Sequence, residues 1–271
     1  MDNRIPRVNL LGYPVSNLTM DEAIAHIDSF IASGRSHQVV VINANKVYLA
    51  GKYPDLRQII EAAAMVIPEQ AMVMAGRWLG TPLKGRVSGV DLMQRLIEAS
   101  GGKPYRVFLL GGRPDVVKRL CDRCESVYNC RVVGFADGYF SPAEERRRIA
   151  HIRRCCPDIL FVGLGSPRQE RWIYRNRAAL NVPVCIGVGG SFDVLVGDKK
   201  RAPKWMQHGL EWAYRLMQEP RRLWKRYLIT NTVFLWQVVR FRISDFGFRI
   251  EKQGLGIGES EQERKRNSDK F

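Results

Sequence analysis

Between His37 and Ile42 the chain reads HQVVVI, and apolar runs of the same kind return at Met65–Ile67, Tyr105–Leu110, Arg131–Phe135, Ile159–Val162 and around Ile186. Runs without polar alternation suit strands covered on both faces, as in a parallel sheet. Helical patterns separate them, at Pro54–Ala63, Ala71–Leu79, Asp115–Tyr128 and from a helix start at Ser141-Pro142-Ala143-Glu144. Ahead of them the sequence predicts a short strand at Val8–Leu11, a turn at Pro14, and a helix that Thr19 opens with Glu22 at capping-box spacing. Strands and helices that alternate at least five times predict an α/β fold. It is a mostly parallel, Rossmann-like sheet with helices on both faces and right-handed crossovers.

Ligands of such sheets bind beyond the carboxyl ends of the strands, so the residues that follow each apolar run carry the functional signal. Asn43-Ala44-Asn45 follows the first run, and Asn43 reads equally as a ligand contact or as the cap of the next helix. Pro68-Glu69-Gln70 follows the second. It puts Glu69 at a helix N-terminus, where the dipole favours an acid and where a catalytic base would also be held. Arg86 lies in a loop before a helix that Ser88 is placed to cap. An arginine at that edge can grip a phosphate with two parallel hydrogen bonds. Gly163-Leu164-Gly165-Ser166-Pro167-Arg168-Gln169-Glu170 reads as strand end, glycine turn and helix start, which turns N–H groups toward an anion. Gly187, Gly189 and Gly190 end the last run, where a missing Cβ admits a ligand close to the backbone. Neither glycine loop completes G-x-G-x-x-G, which argues against a nicotinamide enzyme.

The second constraint is charge. The 271 residues carry 43 Lys and Arg against 27 Asp and Glu, a formal +16. From Lys199 to Arg226 nine Lys or Arg face only Glu211 and Glu219, interleaved with Trp205, Trp212, Tyr214, Trp224 and Tyr227. Such a surface fits nucleic acid, an anionic membrane or a phosphorylated ligand. The N-terminus lacks the apolar core of a signal peptide, and no stretch reaches the ~20 apolar residues of a membrane span. A cytoplasmic location is therefore expected. The six cysteines are then expected to be reduced thiols, with Cys121 and Cys124 inside a helix rather than at a redox turn. The expected organisation is an α/β catalytic domain over 1–200, a basic helical appendage over 201–245 interrupted at Pro220, and a charged, Gly-rich disordered tail over 246–271.

Taken together, Asn43-Ala44, the Pro68 strand end, Arg86-Val87-Ser88-Gly89-Val90-Asp91-Leu92, Asp137-Gly138-Tyr139-Phe140, the Gly163–Glu170 turn, Gly187-Val188-Gly189-Gly190-Ser191-Phe192-Asp193 and Lys200-Arg201-Ala202-Pro203 resemble the WecG/TagA/CpsF glycosyltransferases, family 26. Glu211-Trp212 and Glu219-Pro220-Arg221-Arg222 are similar to that family's C-terminal appendage. The resemblance implies inverting, metal-independent transfer of a sugar, of N-acetylmannosamine type or another hexose, in bacterial cell-surface polysaccharide synthesis. The donor would be a UDP-sugar, and the acceptor a sugar on polyprenyl (undecaprenyl) diphosphate.

By the same resemblance Glu69 is the catalytic base, standing where many relatives have Asp, with Asp91 and Asp137 as the next candidates. Asn43, Arg86, Gln169, Gly189, Gly190 and Asp193 line the donor pocket. Arg215, Arg222 and Arg226 bind the lipid diphosphate. On one continuous helix these three arginines share a face, because seven residues nearly complete two turns. No cofactor or metal is implied. The expected partners are the two substrates and an anionic membrane at the inner face of the cell membrane, with homo-oligomers possible and no nucleic acid. Two rivals make different predictions: a nucleic-acid-binding protein predicts steeply salt-dependent DNA or RNA binding, and a catalytically silent scaffold of polysaccharide assembly predicts nucleotide-sugar binding without turnover.

Overall fold

The computed structural model describes residues 5–198, 203, 211–221 and 223–244. Its centre is a six-stranded, all-parallel sheet in the order β4-β3-β8-β7-β5-β6, formed by β3 (His37–Ile42), β4 (Met65–Pro68), β5 (Arg106–Gly111), β6 (Arg131–Ala136), β7 (Ile159–Gly163) and β8 (Val184–Gly187). The expected α/β architecture is present, and the strands agree with the apolar runs to within a residue or two at each end.

Both faces are covered. Val39, Val41, Leu109 and Phe161 point to one side, against α1 (Met20–Ala32), α5 (Gly89–Ser100), α6 (Pro114–Tyr128) and α9 (Ser191–Leu195). Val40, Ile42, Phe108 and Leu160 point to the other, against α2 (Ala44–Lys52), α3 (Pro54–Glu61), α4 (Gln70–Trp78), α7 (Pro142–Cys155) and α8 (Arg168–Leu180). Phe108, Phe161 and Ile42 are each under 2% exposed. Burial of each such side chain stabilises the fold by about 1.5–3 kcal/mol, which explains why the strands show no polar alternation.

At the N-terminus the expectation is corrected. β1 (Arg7–Leu10) and β2 (Tyr13–Ser16) form an antiparallel hairpin in which Pro14 pairs with Asn9 inside a strand. The turn falls at Leu11 and Gly12, with φ of 56° and 79°, the left-handed pair that matches strand twist. A two-stranded sheet is all edge, so Pro14 is tolerated there. Ser16 Oγ accepts from the Val66 amide at 3.0 Å and fastens the hairpin to β4.

Two capping boxes, Thr19/Glu22 and Ser141/Glu144, start α1 and α7 as the sequence predicts. Ser88 takes the N-cap position of α5 but makes no side-chain cap bond. Cys121 and Cys124 lie buried in α6 as free thiols. Burial, reinforced by Glu125, raises Cys121 to about 11, so it is not a reactive thiolate.

Toward the C-terminus, α10 (Glu211–Gln218) precedes α11 (223–244), and the helical trace is interrupted at Glu219, beside Pro220. Phe234 and Val238 of α11 bury into the cluster around Val47, Ala50 and Val66. Arg242 donates to the Trp78 carbonyl and lies 4.7 Å from the centroid of that indole.

Candidate active site

In a parallel sheet every strand ends on one edge, and here that edge collects the motifs. β5 connects outward to β6, whereas β7 connects the opposite way to β8, so their carboxyl ends diverge at a topological switch point. Glycine makes that crevice possible. Gly111 has φ +134°, and a Cβ on it would stand 2.5 Å from the Gly163 carbonyl oxygen. Gly138 follows β6 and donates its amide to Gly112 at 2.9 Å, which folds the Asp137–Phe140 loop over the same edge. Asp137 is paired there with Arg148 at 3.0 Å.

At the other end of the edge stand Asn43 and Glu69. Asn43 takes the capping role, its Oδ1 accepting from the Lys46 amide at 3.0 Å at the start of α2, while its Nδ2 donates to Glu69 Oε2 at 2.8 Å. Glu69 is the N-cap residue of α4, and its amide donates to Ile42 at 3.0 Å, which ties the carboxylate to the end of β3. Among the described residues its Oε1 accepts no hydrogen bond. Arg86 pairs with Asp91 at 2.7 Å. This pair ties the arginine loop to the first turn of α5 and gives Asp91 a partner other than a substrate.

Between these ends lies the β8 loop. Gln169, 1% exposed, accepts from the Gly189 amide through Oε1 at 3.0 Å. Gly187 packs so closely on this side chain that a Cβ would fall 2.6 Å from Gln169 Nε2. Gly189 takes φ +55°, with open space where a Cβ would be, and Gly190 is the N-cap residue of α9. Asp193 shares a depression with Arg113, Asp198, Gln218 and Glu219, where the body meets α10. Arg113 and Arg119 converge on Asp198 at 3.2 and 2.6 Å, and the Arg119 hydrogen bonds hold that carboxyl below its usual range.

The structure thus gathers Asn43, Glu69, Gln169, Gly189 and Gly190 along one edge. Of the three predicted lipid-diphosphate ligands, Arg222 lies outside the described residues and Arg215 is described only as backbone within α10. Arg226 is exposed on α11, with its guanidinium 5.2 Å from the Tyr227 ring centroid. The interruption at Glu219 removes the continuous helix on which their shared face was argued. Sequence reasoning missed Lys46. It is 3% exposed, and its Nζ lies 2.9 Å from Glu170 Oε1 and 2.5 Å from the Val41 carbonyl. The faint signal was a lysine one residue before Val47 on a helix whose first turn holds no acid.

A glycine-built crevice at a switch point, with a carboxylate at its far end, defines a doubly wound α/β enzyme with its ligand at the carboxyl edge. Residues 8–246 match the model of the "Glycosyl transferase WecG/TagA/CpsF family", and the chain belongs to that family of glycosyltransferases. Over 231 residues, 83% of this chain and 86% of the relative, it is 35% identical to the N-acetylglucosaminyldiphosphoundecaprenol N-acetyl-beta-D-mannosaminyltransferase of Bacillus subtilis (strain 168).

Proposed function

We propose that this glycosyltransferase moves an N-acetylmannosamine-type sugar, with inversion, from its UDP derivative to a sugar on a polyprenyl diphosphate, with Glu69 as the base. The observation that carries the reading is the Asn43–Glu69 hydrogen bond at 2.8 Å. It engages one carboxylate oxygen and leaves the other to accept the acceptor hydroxyl proton. As that proton moves to Glu69, the hydroxyl oxygen bonds to the anomeric carbon and the bond from that carbon to the β-phosphate oxygen breaks, so UDP leaves with the electron pair.

Dimensions support this assignment. Adjacent strands lie about 4.8 Å apart, so Glu69 at β4 stands about 10 Å from the β8 loop and about 19 Å from the end of β5. A nucleotide sugar laid along the edge then has its base toward Gly111 and Gly163, its diphosphate near Gly189 and its sugar toward Glu69. The Gly189 loop lets the backbone come close to the diphosphate, and Arg86 or Arg113 supplies positive charge as negative charge develops on the departing UDP.

The reading extends to a membrane. Trp224, Leu228, Leu235 and Val239 are each more than 40% exposed on α11, at helical spacings of four and seven, about a quarter turn round the helix from the buried Phe234 and Val238. Lys225, Arg226 and Arg240 flank them. Apolar side chains rimmed by cations suit the surface of an anionic leaflet, where the lipid-linked acceptor would reside. Among the described residues no helix is long and apolar enough to cross a membrane. The test is to incubate the protein with UDP-N-acetylmannosamine and a polyprenyl diphosphate-linked N-acetylglucosamine and analyse the lipid by mass spectrometry and NMR. An added hexosamine with inverted anomeric configuration is expected. Release of free sugar alone, or an unchanged acceptor, contradicts the reading.

A further inference from the structure

Glu170 is 1% exposed, and it is held from one side only. Its Oε1 takes three donors: Lys46 Nζ at 2.9 Å, Gln169 Nε2 at 2.8 Å and Ser166 Oγ at 3.0 Å. Its Oε2 is buried without a hydrogen-bond partner among the described residues. Removing a lysine and a glutamate from water is costly, and a matched apolar pair often serves stability as well or better. The pair therefore has a use beyond holding the fold together.

That use is visible in the neighbouring amide. An ionised carboxylate only accepts hydrogen bonds, so Gln169 must turn its NH₂ group to Glu170 and its oxygen the other way. The oxygen then meets the Gly189 amide at 3.0 Å. Lys46 in turn is fixed through its own backbone, whose amide Asn43 caps, and Asn43 holds Glu69. One polar chain thus runs from Glu69 through Asn43, Lys46, Glu170 and Gln169 to Gly189.

We infer that Lys46 and Glu170 are positioning residues: their buried ion pair sets the orientation of the Gln169 amide, and through it the conformation of the Gly189 loop that receives the donor diphosphate. Neither side chain touches the substrate. The inference rests on the proposed placement of the donor at Gly189, and the test separates the two.

UDP affinity and melting temperature are measured for wild type, Gln169→Ala, Lys46→Met, Glu170→Gln and the double variant Lys46→Met/Glu170→Gln. Each single variant of the pair strands a buried partner, so both are expected to melt lower and to bind UDP at least about tenfold more weakly. The double variant removes both charges and is expected to recover most of the melting temperature. It does not recover UDP affinity, because a glutamine at 170 offers Gln169 a donor as readily as an acceptor. A purely structural pair would let affinity return together with melting temperature, and wild-type UDP affinity in the double variant overturns the inference while leaving the donor placement standing. If Gln169→Ala itself binds UDP like wild type, the donor placement falls and the inference with it.

Discussion

Asn43 donates to Glu69 Oε2 at 2.8 Å with one end of its amide while the other end caps α2 at the Lys46 amide. One side chain thus makes two contacts, to the carboxylate and to the helix start, and they separate by substitution. Asn43→Asp keeps an N-cap acceptor but brings a second carboxylate against Glu69. The repelled Glu69 carboxylate then loses the contact that orients it, so kcat/KM is expected to fall with little change in melting temperature. Asn43→Ala is expected to lose about 1 kcal/mol of stability with the cap as well. Wild-type kcat/KM in Asn43→Asp would count against Glu69 as the base.

Gly187 and Gly189 differ in what a methyl group would meet. At Gly187 a Cβ falls 2.6 Å from Gln169 Nε2, so Gly187→Ala is expected to displace that amide and raise KM for the donor about tenfold or more. At Gly189 the space is open but φ is +55°, so Gly189→Ala strains the backbone by about 1–2 kcal/mol and is expected to lower the melting temperature as well as to crowd the donor. Donor titrations and melting curves of the two variants distinguish these effects.

Acid sensitivity is expected where Asp158 joins β5 to the start of β7. Burial alone would raise its pKa, but hydrogen bonds from the Arg106 side chain and backbone overcome that and leave it below 3.8. The folded value is the lower one, so the unfolded chain binds the proton first, and the pair's contribution is complete above pH 3.8. That stability drains away as pH falls through the folded value. Asp158→Asn is expected to be less stable than wild type at neutral pH, with the difference shrinking toward pH 3; a pH-independent difference would contradict the linkage.

For the membrane surface, Leu228→Ser/Leu235→Ser/Val239→Ser changes three exposed side chains of α11 and leaves the buried Phe234 and Val238 in place. This triple variant is expected to melt like wild type and to lose cosedimentation with vesicles containing phosphatidylglycerol. Retained cosedimentation would show that the apolar stripe is not the docking surface.

Periodicity made most of this fold legible, because strands buried on both faces leave an uninterrupted apolar signal and Thr19/Glu22 and Ser141/Glu144 announce their helices. The hairpin was missed at Pro14, since a proline reads as a turn unless its strand is known to be an edge. The place of Glu69, Asn43 and the glycine loops at the carboxyl edge was legible because each follows an apolar run of a parallel sheet, a property of chain order. Lys46 escaped because its partner Glu170 lies far off in sequence and meets it only when β3 and β8 pair. The three-arginine face depended on helix continuity, which Glu219 and Pro220 interrupt.

The most direct test of the central claim is acceptor-dependent UDP release by wild type, Glu69→Gln and Glu69→Asp, each with measured UDP affinity. With Glu69 as the base, Glu69→Gln is expected to lose about 10²–10⁴-fold in kcat at unchanged UDP affinity, and Glu69→Asp to retain part of the activity. Glu69→Gln turning over within a few-fold of wild type would remove the base from this position.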